Sequence, residues 1–100
     1  MHFWMSDGCG WIRVVGEASR WNATRVKEFV REKTREGVRQ FMVDMEECSA
    51  VDSTFMGTLA GAALRLKELG APWGSLQLLN THPEIQKQFA ELGLDRLFDL

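Results

Sequence analysis

Hydrophobic and polar positions change their spacing along the chain, and each spacing predicts a different kind of element. The runs 3–5 and 11–16 are rich in strand-forming residues and are separated by a glycine-containing segment, which is typical of a β-hairpin. The segment 22–36 has apolar residues every three or four positions with charges between them, so it predicts an amphipathic helix. Asn22 is the expected N-cap of this helix, and Gly37 is placed to end it.

Strands and helices alternate in the rest of the chain. Residues 40–45 are almost continuously apolar, which favours a central parallel strand covered on both faces. A helix is predicted over 53–69 and a last strand over 75–80, followed by a helix that starts with a capping-box pattern at 81–84. The expected buried face of that last helix consists of Ile85, Phe89 and Leu92. This order predicts an α/β domain whose parallel strands are joined by right-handed crossovers.

Composition narrows the class of protein. One hundred residues, 45% hydrophobic and 26% charged, are expected to form a single soluble domain over residues 1–100. The net charge of −2 gives no drive toward nucleic acid or an anionic membrane, and no apolar run is long enough to span a bilayer. The first residues lack the basic and apolar regions of a signal peptide, so we expect a cytoplasmic location.

The residue types that carry chemistry are sparse. Cys9 and Cys48 form no C-x-x-C pair, and together with His2 and His82 they lack the spacing of a metal site. We therefore expect both thiols to be reduced and structural, with no metal ion and no cofactor. A hydrolase or transferase that uses Ser53 or Cys48 is a hypothesis of another class, but no evident general base accompanies either residue.

The junction between the central strand and the helix after it carries the most informative polar residues. Asp44 ends the strand, where open α/β sheets place their sites, and Glu46 and Glu47 make the following loop acidic. Ser53, directly after Asp52, stands where an N-cap belongs. The partial positive charge at a helix N-terminus also tolerates a phosphate. From the residues alone, Ser53 is therefore either a cap or a switch.

Two features suggest a surface that meets a partner. One strip of the helix 53–69 is unusually small, and it consists of Thr54, Gly57, Thr58 and Gly61, followed by Arg65 and Glu68. Glycine inside a helix costs roughly 1 kcal/mol relative to alanine. Either the helix packs closely on its sheet there, which the residues alone favour, or the strip is kept flat so that a partner can approach. Trp21 and Trp73, in predicted connectors, are the best candidates for exposed interface aromatics.

Several short motifs, in this order and spacing, resemble the STAS domain, the fold of bacterial anti-sigma factor antagonists. The resemblance covers most of the chain. Val51–Thr54, followed by Gly57 and Leu59, is similar to the family signature Asp-Ser-(Ser/Thr)-Gly-x-Gly-x-x-Leu. The remaining matches are a strand ending in a Gly-acidic turn at 14–17, a central strand with its Asp at 41–45, the last strand at 78–80, and the C-terminal segments 83–85 and 92–98.

The resemblance implies a STAS-like (SpoIIaa-like) α/β fold, with a mixed sheet of four to five strands and helices packed mainly on one face. It also implies a partner switch in bacterial transcription regulation. The protein would bind a cognate anti-sigma factor that is itself a serine kinase, phosphorylation of Ser53 would release this partner, and a phosphatase would reset the system. The implied partner-binding residues are Asp44, Asp52, Thr54, Phe55, Gly57, Thr58 and Gly61.

One residue departs from the family pattern. Phe55 follows Ser53 and Thr54 where the family usually has glycine, and a bulky side chain there either blocks a kinase or serves as a docking knob. This departure favours an alternative hypothesis: a STAS module that is not phosphorylated and acts as an accessory subunit of a larger complex, such as a lipid-transport ABC system. In neither hypothesis is this protein itself an enzyme, and neither involves nucleic acid or insertion into a membrane.

Overall fold

Three helices and six strands make up the chain, and the computed structural model describes all residues from Met1 to Leu100. The helices and four of the strands follow the predicted order, whereas two short strands do not appear in the prediction. In chain order the elements are β1 (His2–Ser6), β2 (Cys9–Arg13), β3 (Gly16–Ala18), α1 (Arg20–Arg35), β4 (Phe41–Asp44), β5 (Cys48–Val51), α2 (Ser53–Glu68), β6 (Leu76–Leu79), α3 (Pro83–Glu91) and a one-turn 3-10 helix (Arg96–Phe98).

Four strands form one mixed sheet in the order β1-β2-β4-β6. β1 and β2 are antiparallel, whereas β4 runs parallel to both of its neighbours. On the covered face, Val43 of β4 lies between Ile12 and Leu78, and all three side chains are buried in the core that the sheet shares with the helices. A mixed four-stranded sheet with its helices on one side confirms the predicted fold class.

The β1–β2 hairpin turns more tightly than the sequence indicates. Asp7 and Gly8 adopt φ angles of 51° and 76°, as in a two-residue turn that matches the twist of the strands. Cys9 and Gly10 therefore belong to β2 and pair with β1. Gly10 is required at its position, because an added Cβ would lie 2.6 Å from the ring of Phe41.

A second, two-stranded sheet forms from the parallel strands β3 and β5. The sequence predicts one strand over 11–16, but β2 ends at Arg13 and the chain turns at Gly16, where φ is 75°. The predicted connector Glu17–Trp21 is divided between β3 and the start of α1. Strands of three and four residues are too short to show a periodic pattern, so the sequence gives no sign of this pair.

Two helices begin differently from the prediction. Ser19 is the N-cap of α1, since its Oγ accepts a hydrogen bond from the Trp21 backbone N–H at 3.2 Å. Asn22 is not the N-cap: its side-chain oxygen accepts from the Ser19 backbone N–H at 3.2 Å and so completes a capping box. The capping box predicted for α3 is also wrong, because His82 is the N-cap and makes no capping hydrogen bond with its side chain.

The end of α3 follows the predicted motif but buries a different side chain. Gly93 has a φ of 72°, and the Leu94 N–H donates to the Phe89 carbonyl oxygen at 2.8 Å, as in a Schellman motif. Leu92 is 49% exposed and not buried as predicted, because it is the C-cap and lies beyond the helix face that meets the core. Phe98 packs there instead, with its ring 5.5 Å from that of Phe89.

Gly57 and Gly61 do not serve close packing on the sheet, so the interpretation that the residues alone favour is wrong. A Cβ added at either position would meet no other atom within 4 Å, and both residues are exposed. α2 therefore keeps a flat, open strip at these two positions, although glycine lowers the stability of the helix.

We expect Gly57→Ala and Gly61→Ala each to raise the free energy of unfolding by about 1 kcal/mol, because alanine is a better helix former and has room at both positions. In a domain of this size that corresponds to a melting temperature about 4–8 °C higher. Thermal unfolding followed by circular dichroism measures the change. Gly10→Ala is the control and should melt at a lower temperature, because its Cβ would collide with Phe41. Lower melting temperatures for the two helix variants would contradict the open strip.

Candidate functional site

The carboxylate of Asp52 joins the N-termini of two helices. Its Oδ1 accepts a hydrogen bond from the Phe55 backbone N–H at 2.8 Å, and its Oδ2 accepts one from the Arg20 backbone N–H at 2.9 Å. Asp52 is thus the N-cap of α2 and also pairs with an N–H of the first turn of α1. The prediction that Ser53 caps α2 is wrong, because a carboxylate one residue earlier holds that role and complements both helix dipoles.

Ser53 is instead the first residue of α2, and its side chain is exposed. Its hydroxyl makes no hydrogen bond to another residue, so no histidine, lysine or carboxylate activates it as a nucleophile. Residues four apart lie on the same face of a helix. Ser53 therefore stands at the head of an exposed row that continues through Gly57, Gly61 and Arg65.

The other predicted site residues of α2 divide between the surface and the core. Thr54 is exposed, and its carbonyl oxygen accepts a 3.0 Å hydrogen bond from the Thr58 hydroxyl. Phe55 is 0% exposed and belongs to the hydrophobic core. Its place among the predicted partner-binding residues is therefore corrected: a side chain without exposed surface neither docks onto a partner nor blocks a kinase. Phe55, which stands where the family usually has glycine, therefore contributes to core packing and not to the exposed surface.

Asp44 lies at the end of β4 as predicted, but its carboxylate forms hydrogen bonds that hold the loop after β4. Oδ1 accepts hydrogen bonds from the Glu46 backbone N–H at 3.1 Å and from the Asn80 side-chain amide at 3.3 Å, and Oδ2 lies 3.6 Å from Arg13 Nε. His82, which the sequence does not single out, holds the same loop through Nε2, 2.7 Å from the Glu46 carbonyl oxygen. No hydrogen bond connects Asp44 to the start of α2, so this carboxylate positions a loop.

A groove of about 670 Å³ lies between α1 and α2. One wall carries four of the predicted partner-binding residues, and the other carries basic residues that the sequence assigns only to a solvated helix face. These residues are Thr54, Gly57, Thr58 and Gly61 on α2, and Lys27, Arg31 and Arg35 on α1. The structure thus places the predicted strip of α2 opposite a row of cations, an arrangement that spacing within either helix cannot reveal.

The two tryptophans predicted to be exposed are exposed, at 76% for Trp21 and 66% for Trp73. Trp21 lies in the first turn of α1, and the Arg20 guanidinium is 4.8 Å from the centre of its ring. Because the Arg20 backbone binds Asp52, Trp21 borders the candidate site. Trp73 lies in the turn beyond the other end of α2 and is not part of it.

Neither cysteine has the environment of a nucleophile. Both thiols are free and buried, and burial raises the pKa of Cys9 and the pKa of Cys48. The reactive thiolate is therefore disfavoured at neutral pH.

No group of three or more His, Cys, Asp or Glu side chains is arranged to hold a metal ion. None of the three helices has the length and apolar character that crossing a membrane requires.

A protein-family model described as "Mlab, STAS domain" matches residues 1–99. The chain belongs to the STAS domain family. The match spans the Asp52-Ser53 junction and both walls of the groove, so these features belong to one STAS domain. Comparison with curated proteins by sequence found no match.

Solved structures of the same fold include anti-sigma factor antagonists. TM1081 of Thermotoga maritima, described as a candidate antagonist, gives a TM-score of 0.80 at 16% identity, over 95% of this chain and 80% of that one. The antagonist SpoIIAA in its unphosphorylated form gives 0.75 at 22% identity, over 99% and 98%. Phosphorylated SpoIIAA of Bacillus gives 0.76 at 21% identity, over 96% and 86%. At these identities the likeness establishes the fold, and it confirms the predicted SpoIIaa-like STAS architecture.

We expect Asp52→Ala to lower the free energy of unfolding by about 1–2 kcal/mol or more, because it removes the cap of α2 and a hydrogen bond to α1 together. Ser53→Ala is the matched variant one residue later. It should change stability by no more than about 0.5 kcal/mol, since the Ser53 hydroxyl is exposed and makes no hydrogen bond. Urea unfolding of both variants measures the two values. A larger loss of unfolding free energy for Ser53→Ala than for Asp52→Ala would show that Ser53, and not Asp52, caps α2.

We expect both thiols to resist modification in the folded protein, because burial and a raised pKa keep each of them protonated and out of solvent. At neutral pH, reaction with Ellman's reagent should be about tenfold or more slower for the native protein than for the urea-unfolded protein, which is the control. Rapid release of two equivalents of thionitrobenzoate from native protein would show that the thiols are accessible.

Proposed function

We propose that this STAS domain is a regulatory binding module of the anti-sigma factor antagonist kind. It binds a cognate anti-sigma factor with serine kinase activity in the bacterial cytoplasm, and phosphorylation of Ser53 ends that binding until a phosphatase removes the phosphate. The proposal rests chiefly on one observation. The Ser53 hydroxyl is exposed at the first position of α2 and free for modification, because Asp52 supplies the cap.

The separation of these two roles makes a phosphate at Ser53 compatible with the fold. Asp52 keeps its hydrogen bonds to Phe55 and Arg20 whatever the state of the neighbouring hydroxyl. A phosphate at a helix N-terminus also meets a favourable dipole and unpaired N–H groups. Phosphorylation therefore changes the surface at the start of α2 without unfolding the helix that presents it.

The effect on a partner follows from charge. A phosphate adds about −1.5 to −2 charges at neutral pH. A partner surface fitted to the neutral hydroxyl would bury this charge without a counterion, and such mismatches cost about 2–5 kcal/mol. The affinity then falls about 30-fold to several thousandfold, which is enough to switch a complex on and off.

The surface that meets the partner includes the exposed Thr54, Gly57 and Gly61 and the half-buried Thr58. Gly57 and Gly61 lower helix stability, and no neighbouring atom lies close enough to require glycine at either position. A role in binding therefore accounts for their presence. Asp44 and Asp52 contribute indirectly, since they hold the neighbouring loop and the two helix starts. A regulatory role in transcription agrees with the antagonists that share this fold, one of which is described in a phosphorylated form.

A second candidate is an accessory subunit of a larger complex, such as a lipid-transport ABC system, that binds without phosphorylation. The matching family model is described as "Mlab, STAS domain", a description that does not name an antagonist, and this favours considering a STAS module of another kind. The buried Phe55 favours neither candidate, because it leaves the approach to Ser53 open. The two candidates differ in whether binding responds to charge at Ser53.

We expect a kinase-like partner from the native cytosol to bind wild type and Ser53→Ala and not to bind Ser53→Asp, because only the last carries a negative charge at position 53. Pull-down with identification by mass, together with a search for phosphate on Ser53 in protein from cells, measures this. Ser6→Asp is the matched control, since Ser6 is exposed in the β1–β2 hairpin and its charge should not matter. Equal capture of one partner by all three Ser53 forms would assign the protein to the second candidate.

A further inference from the structure

Two rows of side chains face each other across the groove between α1 and α2. On α1 the row is Lys27, Arg31 and Arg35, spaced by four residues and exposed. On α2 it is the part of the row headed by Ser53 that lines the groove, namely Gly57, Gly61 and Arg65. Positions four apart rise by about 6 Å along a helix, so the three cations of α1 extend over about 12 Å.

The groove is positively charged although the chain as a whole is not. The chain has 12 Lys and Arg against 14 Asp and Glu, yet no acidic residue lines the groove. Lys27, Arg31 and Arg35 form no ion pair, whereas Lys33 on the neighbouring face of α1 pairs with Glu32 and Glu36. The three cations of α1 are therefore available to an external anion, whereas Arg65 on the α2 side pairs with Glu68 at 3.3 Å.

The floor of the groove favours a helix as the occupant. Gly57 and Gly61 leave open space above the α2 backbone, and Ala62 extends this small surface. Small residues four apart on a helix let the backbone of a second helix approach closely. Carboxylates at every fourth position of such a helix would repeat at about 6 Å, which is the spacing of the cations on α1.

We propose that the groove between α1 and α2 binds an acidic helix of a partner protein. The backbone of that helix packs on Gly57 and Gly61, and its carboxylates pair with Lys27, Arg31 and Arg35 on α1. This inference rests on the proposed binding function and adds to it the surface used and the chemistry of the partner segment.

Nucleic acid and free phosphate fit the groove less well. No aromatic side chain lines it, so it offers no stacking platform for bases. The cations lie along a line and do not converge on one point, which suits a series of carboxylates better than a single phosphate group.

The groove also explains how Ser53 would act on such a partner. Ser53 is one turn before Gly57 in the same exposed row, so a phosphate there stands at the end of the path of the acidic helix. The added negative charge repels the carboxylates of that helix. Phosphorylation would thus weaken binding through the groove without altering the groove itself.

The test is a titration of the ¹⁵N-labelled full chain, followed by heteronuclear NMR. The main probe is a designed amphipathic helical peptide with glutamate at every fourth position and alanine beside it, and the control peptide has lysine in place of each glutamate. Inorganic phosphate and a single-stranded oligonucleotide are the other probes. We expect the acidic peptide alone to shift the amides of Gly57, Thr58 and Gly61 in a saturable way at up to millimolar concentration.

Charge reversal makes the test specific. Arg31→Glu with Arg35→Glu should weaken the acidic peptide about tenfold or more, and the same double variant should gain binding to the lysine peptide. Lys87→Glu is the matched control, because Lys87 is exposed on α3 outside the groove and its reversal should leave the affinity unchanged. The amide spectrum of each variant establishes that it is folded.

The proposal is overturned if the acidic peptide produces no saturable shifts in the groove, if both peptides bind the double variant and wild type alike, or if phosphate or the oligonucleotide binds more tightly than the acidic peptide. Ser53→Asp separates the two levels of inference. If it binds the peptide as tightly as wild type, the groove stands and the switch at Ser53 fails. If the peptide never binds but the cytosolic partner still distinguishes the Ser53 variants, the groove fails and the proposed function stands.

Discussion

The double hydrogen bond of the Asp52 carboxylate is the interaction on which the candidate site depends. The Asp52 backbone N–H donates to the Ala18 carbonyl oxygen at 3.0 Å and so extends the pairing of β3 with β5. The side chain of the same residue then binds the first turns of α1 and α2. One residue therefore links the small parallel sheet to the starts of two helices. It determines that the next residue, Ser53, begins α2 with its hydroxyl free.

The surface along the exposed row of α2 differs from the one suggested by the neighbours of Ser53 in the chain. Asp44, Glu46, Glu47 and Asp52 all lie within nine residues of it, and together they predict an acidic patch. In the folded protein two of these carboxylates are occupied in structural roles: Asp44 holds the loop after β4, and Asp52 holds the helix starts. The surface next to the row headed by Ser53 is instead the basic wall of α1. A charge added at Ser53 therefore acts on a groove that attracts anions.

α2 has helix-destabilising glycines on its exposed face and large apolar side chains on its buried face. Phe55 and Leu59 of α2 are fully buried, and the first of them replaces a glycine of the family signature by a large core side chain. Gly57 and Gly61, on the opposite face, contact nothing. The same helix thus anchors itself through its inner face and leaves its outer face flat, which is the arrangement expected of a surface kept for binding.

The sequence by itself determined the helices, the four strands of the main sheet and the class of fold, because long segments with regular spacing report which face is buried. It also identified the strip of α2 and the exposed Trp21 and Trp73. It could not determine that Asp52 and not Ser53 caps α2, since both residue types suit that position and the choice depends on the pairing of β3 with β5, two strands too short to leave a pattern. Only the tertiary structure decided that Phe55 is buried and that Lys27, Arg31 and Arg35 face the glycine strip. Arg35, the nearest of these cations, is 22 residues from Gly57 along the chain, and periodicity within one helix cannot say which other helix it packs beside.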